Sequence, residues 1–276
     1  MGALLLLSLL GAAPLEVPMP PPPPPSREAW ALAEVSLGGS VLARGAAFCA
    51  APLQPWCGKD ANLVYFTSLP YLGAAARLTS FPFAKMEAAE WRGLGFEGRY
   101  AWGATYVEGD AAQALATDQG WSAELLYRQQ VEILGFRPWL GARLGALSHG
   151  FAVPDTVEGF ALQRGIGPSM GLDAGLSIFG PLLRLEVTLR YAMGANPSAA
   201  QRQLFGAGVS SDCYDGVLGL AGAFGEGGGG AGLGWSASVE QQLFLDTFRG
   251  VGTRAPAGSW VMEQYTAFTA GLRYRL

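Results

Sequence analysis

The chain holds one histidine, His149, in the run Ser148-His149-Gly150, with Asp155 close behind. A histidine base with a serine hydroxyl and an orienting carboxylate is the chemistry of an activated nucleophile, and it would make the protein a hydrolase. The local spacing argues against that use. Adjacent residues of a strand point to opposite faces, so Ser148 and His149 do not meet side by side, whereas a nucleophile and its base must share one geometry. A lone histidine at a strand end is expected instead as an interfacial polar residue.

Metal ligation is not expected. One histidine and three cysteines give no zinc spacing, and Glu108, Asp110 and Asp118 match no calcium-loop motif, so these acids read as a solvated loop. Gly225 to Gly234 lacks the Lys-Ser/Thr of a phosphate loop, and no nucleotide or other cofactor is implied. Cys49 and Cys57 flank Pro52, Pro55 and Trp56 in a stretch without periodicity, where a disulfide would staple a loop; Cys213 is left as a free thiol.

What remains is charge, and the elements that must position it. The 276 residues are 50% hydrophobic and 14% charged with a net charge of -4, and no Lys/Arg-rich run offers the footprint of a nucleic-acid partner. No stretch approaches the roughly 18 to 20 apolar residues of a spanning helix. The hydrophobic average is built from alternation instead. Leu183, Leu185, Val187, Leu189, Tyr191 and Met193 alternate with Arg184, Glu186, Thr188, Arg190 and Ala192, which predicts a strand with two opposite environments. The same period runs through 94–106, 170–178, 233–243 and 266–276, and further candidates at 33–43, 70–80, 122–131, 137–148 and 214–224 give about ten strands. Several reach the roughly 9 to 11 residues that a membrane-spanning strand needs. Phe179-Gly180-Pro181 and 225–230 are predicted as short turns, and 44–68, 107–120, 149–167, 195–213 and 246–260 as longer loops at the opposite end. Trp56, Trp91, Trp102, Trp121, Trp139, Trp235 and Trp260 fit interfacial aromatic girdles at strand ends.

At the amino terminus the apolar run to Leu10 and the small residues Gly11-Ala12-Ala13 predict a signal peptide over 1–13. Residues 14–29, with prolines at 18 and 20–25, follow as an extended linker, and 30–276 forms the folded domain.

With these segments in view, the region from 30 to 276 resembles the small outer-membrane β-barrel proteins of Gram-negative bacteria. The closing run Tyr265-Thr-Ala-Phe-Thr-Ala-Gly-Leu-Arg-Tyr-Arg-Leu276 is similar to the carboxy-terminal signal that the insertion machinery of that membrane reads. The resemblance implies an all-β fold, an antiparallel transmembrane barrel of about ten strands (8 to 12), surrounded by outer-membrane lipid. It transfers no activity. With the apolar face toward lipid, the lumen receives Glu34, Arg77, Glu97, Arg99, Glu124, Arg128, Arg143, Asp173, Arg184, Glu186, Arg190, Glu240, Arg273 and Arg275. Both signs are present, so an ion-paired filling of a narrow barrel is expected. The function that follows is structural, or that of a narrow pore, without a catalytic site. The alternatives are a membrane-embedded hydrolase using His149 and a soluble β-sandwich with its polar faces in water.

Overall fold

A computed structural model describes residues 30–49, 62–108, 113–133, 136–152, 162–194, 196–224, 232–255 and 258–276. Among the described residues twelve strands form a single sheet: β1 (Ala33–Cys49), β2 (Asn62–Thr67), β3 (Tyr71–Ser80), β4 (Leu94–Glu108), β5 (Gln113–Gln130), β6 (Trp139–Ala152), β7 (Leu162–Gln163), β8 (Gly167–Ser177), β9 (Arg184–Met193), β10 (Gly208–Ala223), β11 (Gly232–Arg249) and β12 (Ser259–Arg275). The short strands β2 and β7 continue β3 and β8 along the same flanks of β1 and β6, which leaves ten staves. Each stave pairs antiparallel with its chain neighbour, and β12 closes on β1 from Glu34 opposite Arg275 to Cys49 opposite Trp260. Closure pairs both edges of each of the ten staves through the lower half, which is the condition for a sheet to cross hydrocarbon, while β2 and β7 pair on one edge only.

The two wall faces are chemically distinct, and their character changes with height. Near the end that holds Ala33 and Arg275, the outward positions are large and apolar: Leu37, Leu78, Leu125, Leu144, Leu172, Leu189, Leu218 and Leu272 are all exposed. The inward positions of the same strands carry charge. Toward the other end the pattern inverts. Buried inward side chains now include Leu42, Ala46, Phe48, Leu147, Phe151, Phe244 and Phe248, interleaved with Arg44, His149, Asp246 and Glu263, while Gln119, Gln241 and Gln264 face outward and are exposed. The barrel is thus a membrane wall below and a wall around a mixed apolar and ionic core above. Tyr100, Trp102, Trp121 and Tyr214 are exposed near the change of character, where an aromatic girdle belongs. Along β10, Phe224 to Tyr214 spans roughly ten residues, or about 25 Å of height at the usual strand tilt, which matches the apolar band of such barrels.

This inversion corrects the expected strand ends. All ten predicted segments are staves, but β1, β5, β6, β10, β11 and β12 run on into stretches read as loops. Apolar-out alternation ceases above the lipid, so its loss marks the edge of the membrane rather than the end of the strand. Trp139 is a second correction: it is buried inside the barrel, not in a girdle. Gly175 on the neighbouring strand makes room for it, since a Cβ there would run into the indole ring.

Helical segments cover the ends. A single turn, α1 (Ala89–Arg92), lies between β3 and β4 at the lower end. At the upper end α2 (Ala199–Phe205) follows β9, and the Ser198 side chain caps it by accepting from the Gln201 amide at 3.4 Å. Gly206 ends it at φ 130, a conformation that suits glycine and directs the chain back into β10. In consequence Phe205 stacks on Phe48, ring centroids 4.5 Å apart, and joins Ala46, Ala116, Phe151, Phe248, Ala255 and Val261 in an apolar cap.

Candidate functional site in the lumen

Inward positions of neighbouring strands face one another across a narrow lumen, so their charges can pair. Arg143 on β6 is almost completely buried; Nη1 donates to Glu124 at 2.6 Å and to Glu97 at 3.4 Å, and Nη2 to Asp173 at 3.1 Å. Glu97 also accepts from Arg77 at 2.7 Å, Thr79 at 3.1 Å and Arg99 at 2.6 Å. Arg190 pairs with Asp215, lies 3.3 Å from Glu240 and donates to Ser122 at 3.0 Å. Closer to the chain ends, Arg184 pairs with Glu186 and reaches Glu34 at 3.5 Å, and Arg273 reaches Glu34 at 3.3 Å. Arg275 is half-buried on the last residue of β12. Arg128 donates to Asp173 at 2.7 Å and lies 4.1 Å over the Trp139 ring; Trp30 stacks on Phe81 beside them. Charges removed from water need such multiple partners, because an uncompensated one costs several kcal/mol.

A second layer lies above. Arg44 on β1 pairs with Glu263 on β12, and Arg164, just beyond β7, joins Glu263 at 2.6 Å and Asp246 on β11 at 2.7 Å. Two aromatic faces support these cations: Phe151 lies 4.4 Å from the Arg44 guanidinium and Phe244 lies 4.2 Å from that of Arg164. His149 belongs to this layer. Its Nε2 is 2.8 Å from Asp118 Oδ1, Tyr71 donates its hydroxyl to the same carboxylate, and Tyr265 packs edge-on to the imidazole at 4.6 Å. Gly120, opposite His149 in the β5–β6 register, leaves the ring its space; a Cβ there would stand 3.1 Å from Nδ1. The expectation of an interfacial histidine is therefore corrected to a buried one, and Asp118 is not a loop acid but an inward residue of β5. Ser148 faces away from His149, its hydroxyl donating to the Arg164 carbonyl at 3.1 Å.

Beside the lower layer, on the side of β1 and β9 to β12, small inward residues replace the large ones. Gly38, Gly219, Ala221, Ser36, Ser236 and Ser238 leave a cavity of about 140 Å³ whose wall runs from Glu34 and Arg273 near the lower end up to His149 and Tyr265. Arg77, Arg99 and Arg190 face it from the charged half of the barrel.

The strand charges expected in the lumen fall into the lower layer. Arg44, Asp118, Arg164, Asp215, Asp246 and Glu263 lie outside that expectation. For Asp118 a signal existed, because 118, 120, 122, 124, 126 and 128 are in phase along β5. Cys213 is free and buried; Cys57 and Asp155 lie outside the described residues, as do 1–29, so the Cys49–Cys57 pairing, the signal peptide and the linker are not placed.

A closed antiparallel barrel with a lipid-facing apolar belt and an ion-paired interior defines an outer-membrane β-barrel protein. Among solved structures the chain is similar to the outer membrane protease OmpT from Escherichia coli at 10% identity, with 88% of this chain and 96% of that chain covered and a TM-score of 0.43. It is also similar to a Pseudomonas aeruginosa FadL homologue at 9% identity, with 88% and 89% covered and a TM-score of 0.33. No protein-family model matches the chain, and comparison with curated proteins gives no match.

Proposed function

We propose that the protein is a structural outer-membrane barrel whose lumen is occluded at rest. One observation carries this reading: above the lumen cavity a buried ionic layer and an apolar cap stand in series across the lumen. An ion crossing it would have to displace paired guanidinium groups and then enter a phenylalanine cluster, both costly in a medium from which water is excluded. Reconstitution in planar bilayers tests it. The wild-type barrel is expected to show no stable conductance steps; regular steps would replace this reading with that of a narrow pore.

The hydrolase reading has the His149–Asp118 pair in its favour and the orientation of Ser148 against it. Hydrolysis of a peptide or ester by the purified protein, lost in His149→Ala, would establish it. Around this core the proposal includes export by the signal peptide at 1–13 into a Gram-negative envelope, recognition of the β12 end by the insertion machinery, contact of the belt with outer-membrane lipid, and a Cys49–Cys57 disulfide.

A further inference from the structure

The lumen cavity is not merely leftover space, because the charge around it is unevenly satisfied. Its carboxylates are each held by two donors: Glu34 by Arg184 and Arg273, Glu186 by Arg77 and Arg184, and Glu240 by Arg190 and Gln242. Arg99 is held differently. Among the described residues its one carboxylate partner is Glu97, reached through Nε at 2.6 Å, and Glu97 is shared with Arg77 and Arg143. Arg77 and Arg143 each have a further carboxylate, so among these three only Arg99 has none of its own. Its side chain lines the cavity, and there Arg99, Arg190 and Arg273 each keep one buried guanidinium nitrogen without a hydrogen-bond partner among the described residues. The wall formed by β1, β11 and β12 supplies the hydroxyls of Ser36, Ser236, Ser238 and Thr269. A buried guanidinium donor without an acceptor is unfavourable, and a planar or tetrahedral oxyanion is the group that such a fork accepts.

We infer that the lumen cavity is a binding site for a small oxyanion, a carboxylate or phosphate, with Arg99 as the anchoring cation and the serine wall completing its hydrogen bonds. The volume suits an anion of a few heavy atoms, and the wall's start at Glu34 and Arg273 gives the site its approach from the lower end.

The test is calorimetric titration of the detergent-folded full chain with inorganic phosphate and, separately, acetate, at constant ionic strength set with chloride. Saturable binding of at least one is expected, weakened about tenfold or more in Arg99→Gln, the loss of one charge-assisted pair. Ser238→Leu fills the cavity from the serine wall without altering any charge, and it should abolish binding while the compact, heat-shifted gel migration persists. Should Arg99→Gln fail to fold, Ser238→Leu decides alone. No saturable binding of either anion by the wild type, or unchanged binding in Ser238→Leu, overturns the assignment.

Discussion

Arg143 shows what a single buried residue does in this lumen. It is the guanidinium that bridges Glu97, Glu124 and Asp173, from β4, β5 and β8. Arg143→Ala leaves three carboxylates competing for Arg77, Arg99, Arg128 and Arg190, and removing one side of a buried pair costs about 3 to 5 kcal/mol. Denaturant unfolding followed by tryptophan fluorescence should show that loss; a shift under about 1 kcal/mol would mean that the neighbouring arginines re-pair without cost. The alternation of Glu97, Arg99, Arg184, Glu186 and Arg190 with apolar neighbours is legible in the amino-acid sequence, because period two assigns each side chain a face. Their partners are not. Which carboxylate Arg143 meets depends on the stagger of neighbouring strands, and a single strand's sequence does not contain it. His149 and Asp118 illustrate the same limit: far apart in the chain, they meet only because β5 and β6 place Gly120 opposite His149.

At the level of elements, the ten staves are readable from alternation and their upper ends are not. Alternation marks a lipid-facing strand only while its apolar residues keep to one face, whereas β1 and β6 move them from the outer face to the inner one partway up. α2 escapes the pattern too, being a short helix within an expected loop. Its part is to seat Phe205 in the cap. Phe205→Ala removes a fully buried ring from between Phe48 and Phe248 and should cost about 3 to 5 kcal/mol of cap stability. Because the lower wall does not touch this cluster, the expected outcome is local: limited proteolysis should cut within 199–207 while the remainder keeps its heat-shifted migration. Loss of the compact species as a whole would show instead that cap and barrel fold as one unit.

For the whole molecule, the change of outer-face character sets where the bilayer can stand. Leu144 faces outward in the apolar belt and Gln264 faces outward above it. Leu144→Arg should destabilise the lipid-inserted barrel by about 2 to 4 kcal/mol, the cost of a cation near the midplane, whereas Gln264→Arg should fall within about 0.5 kcal/mol of wild type. Unfolding titrations in lipid vesicles compare the two, and equal effects would place the membrane elsewhere on the wall. The same change bears on assembly. The apolar cap and the upper ionic layer can close only after the hairpins that build them have emerged on the far side, since their inward residues have no partners before that. Their free energy of packing is therefore released after translocation and would have to be returned for the chain to slip back. The upper core thus adds its packing free energy to the cost of withdrawing the barrel from the membrane.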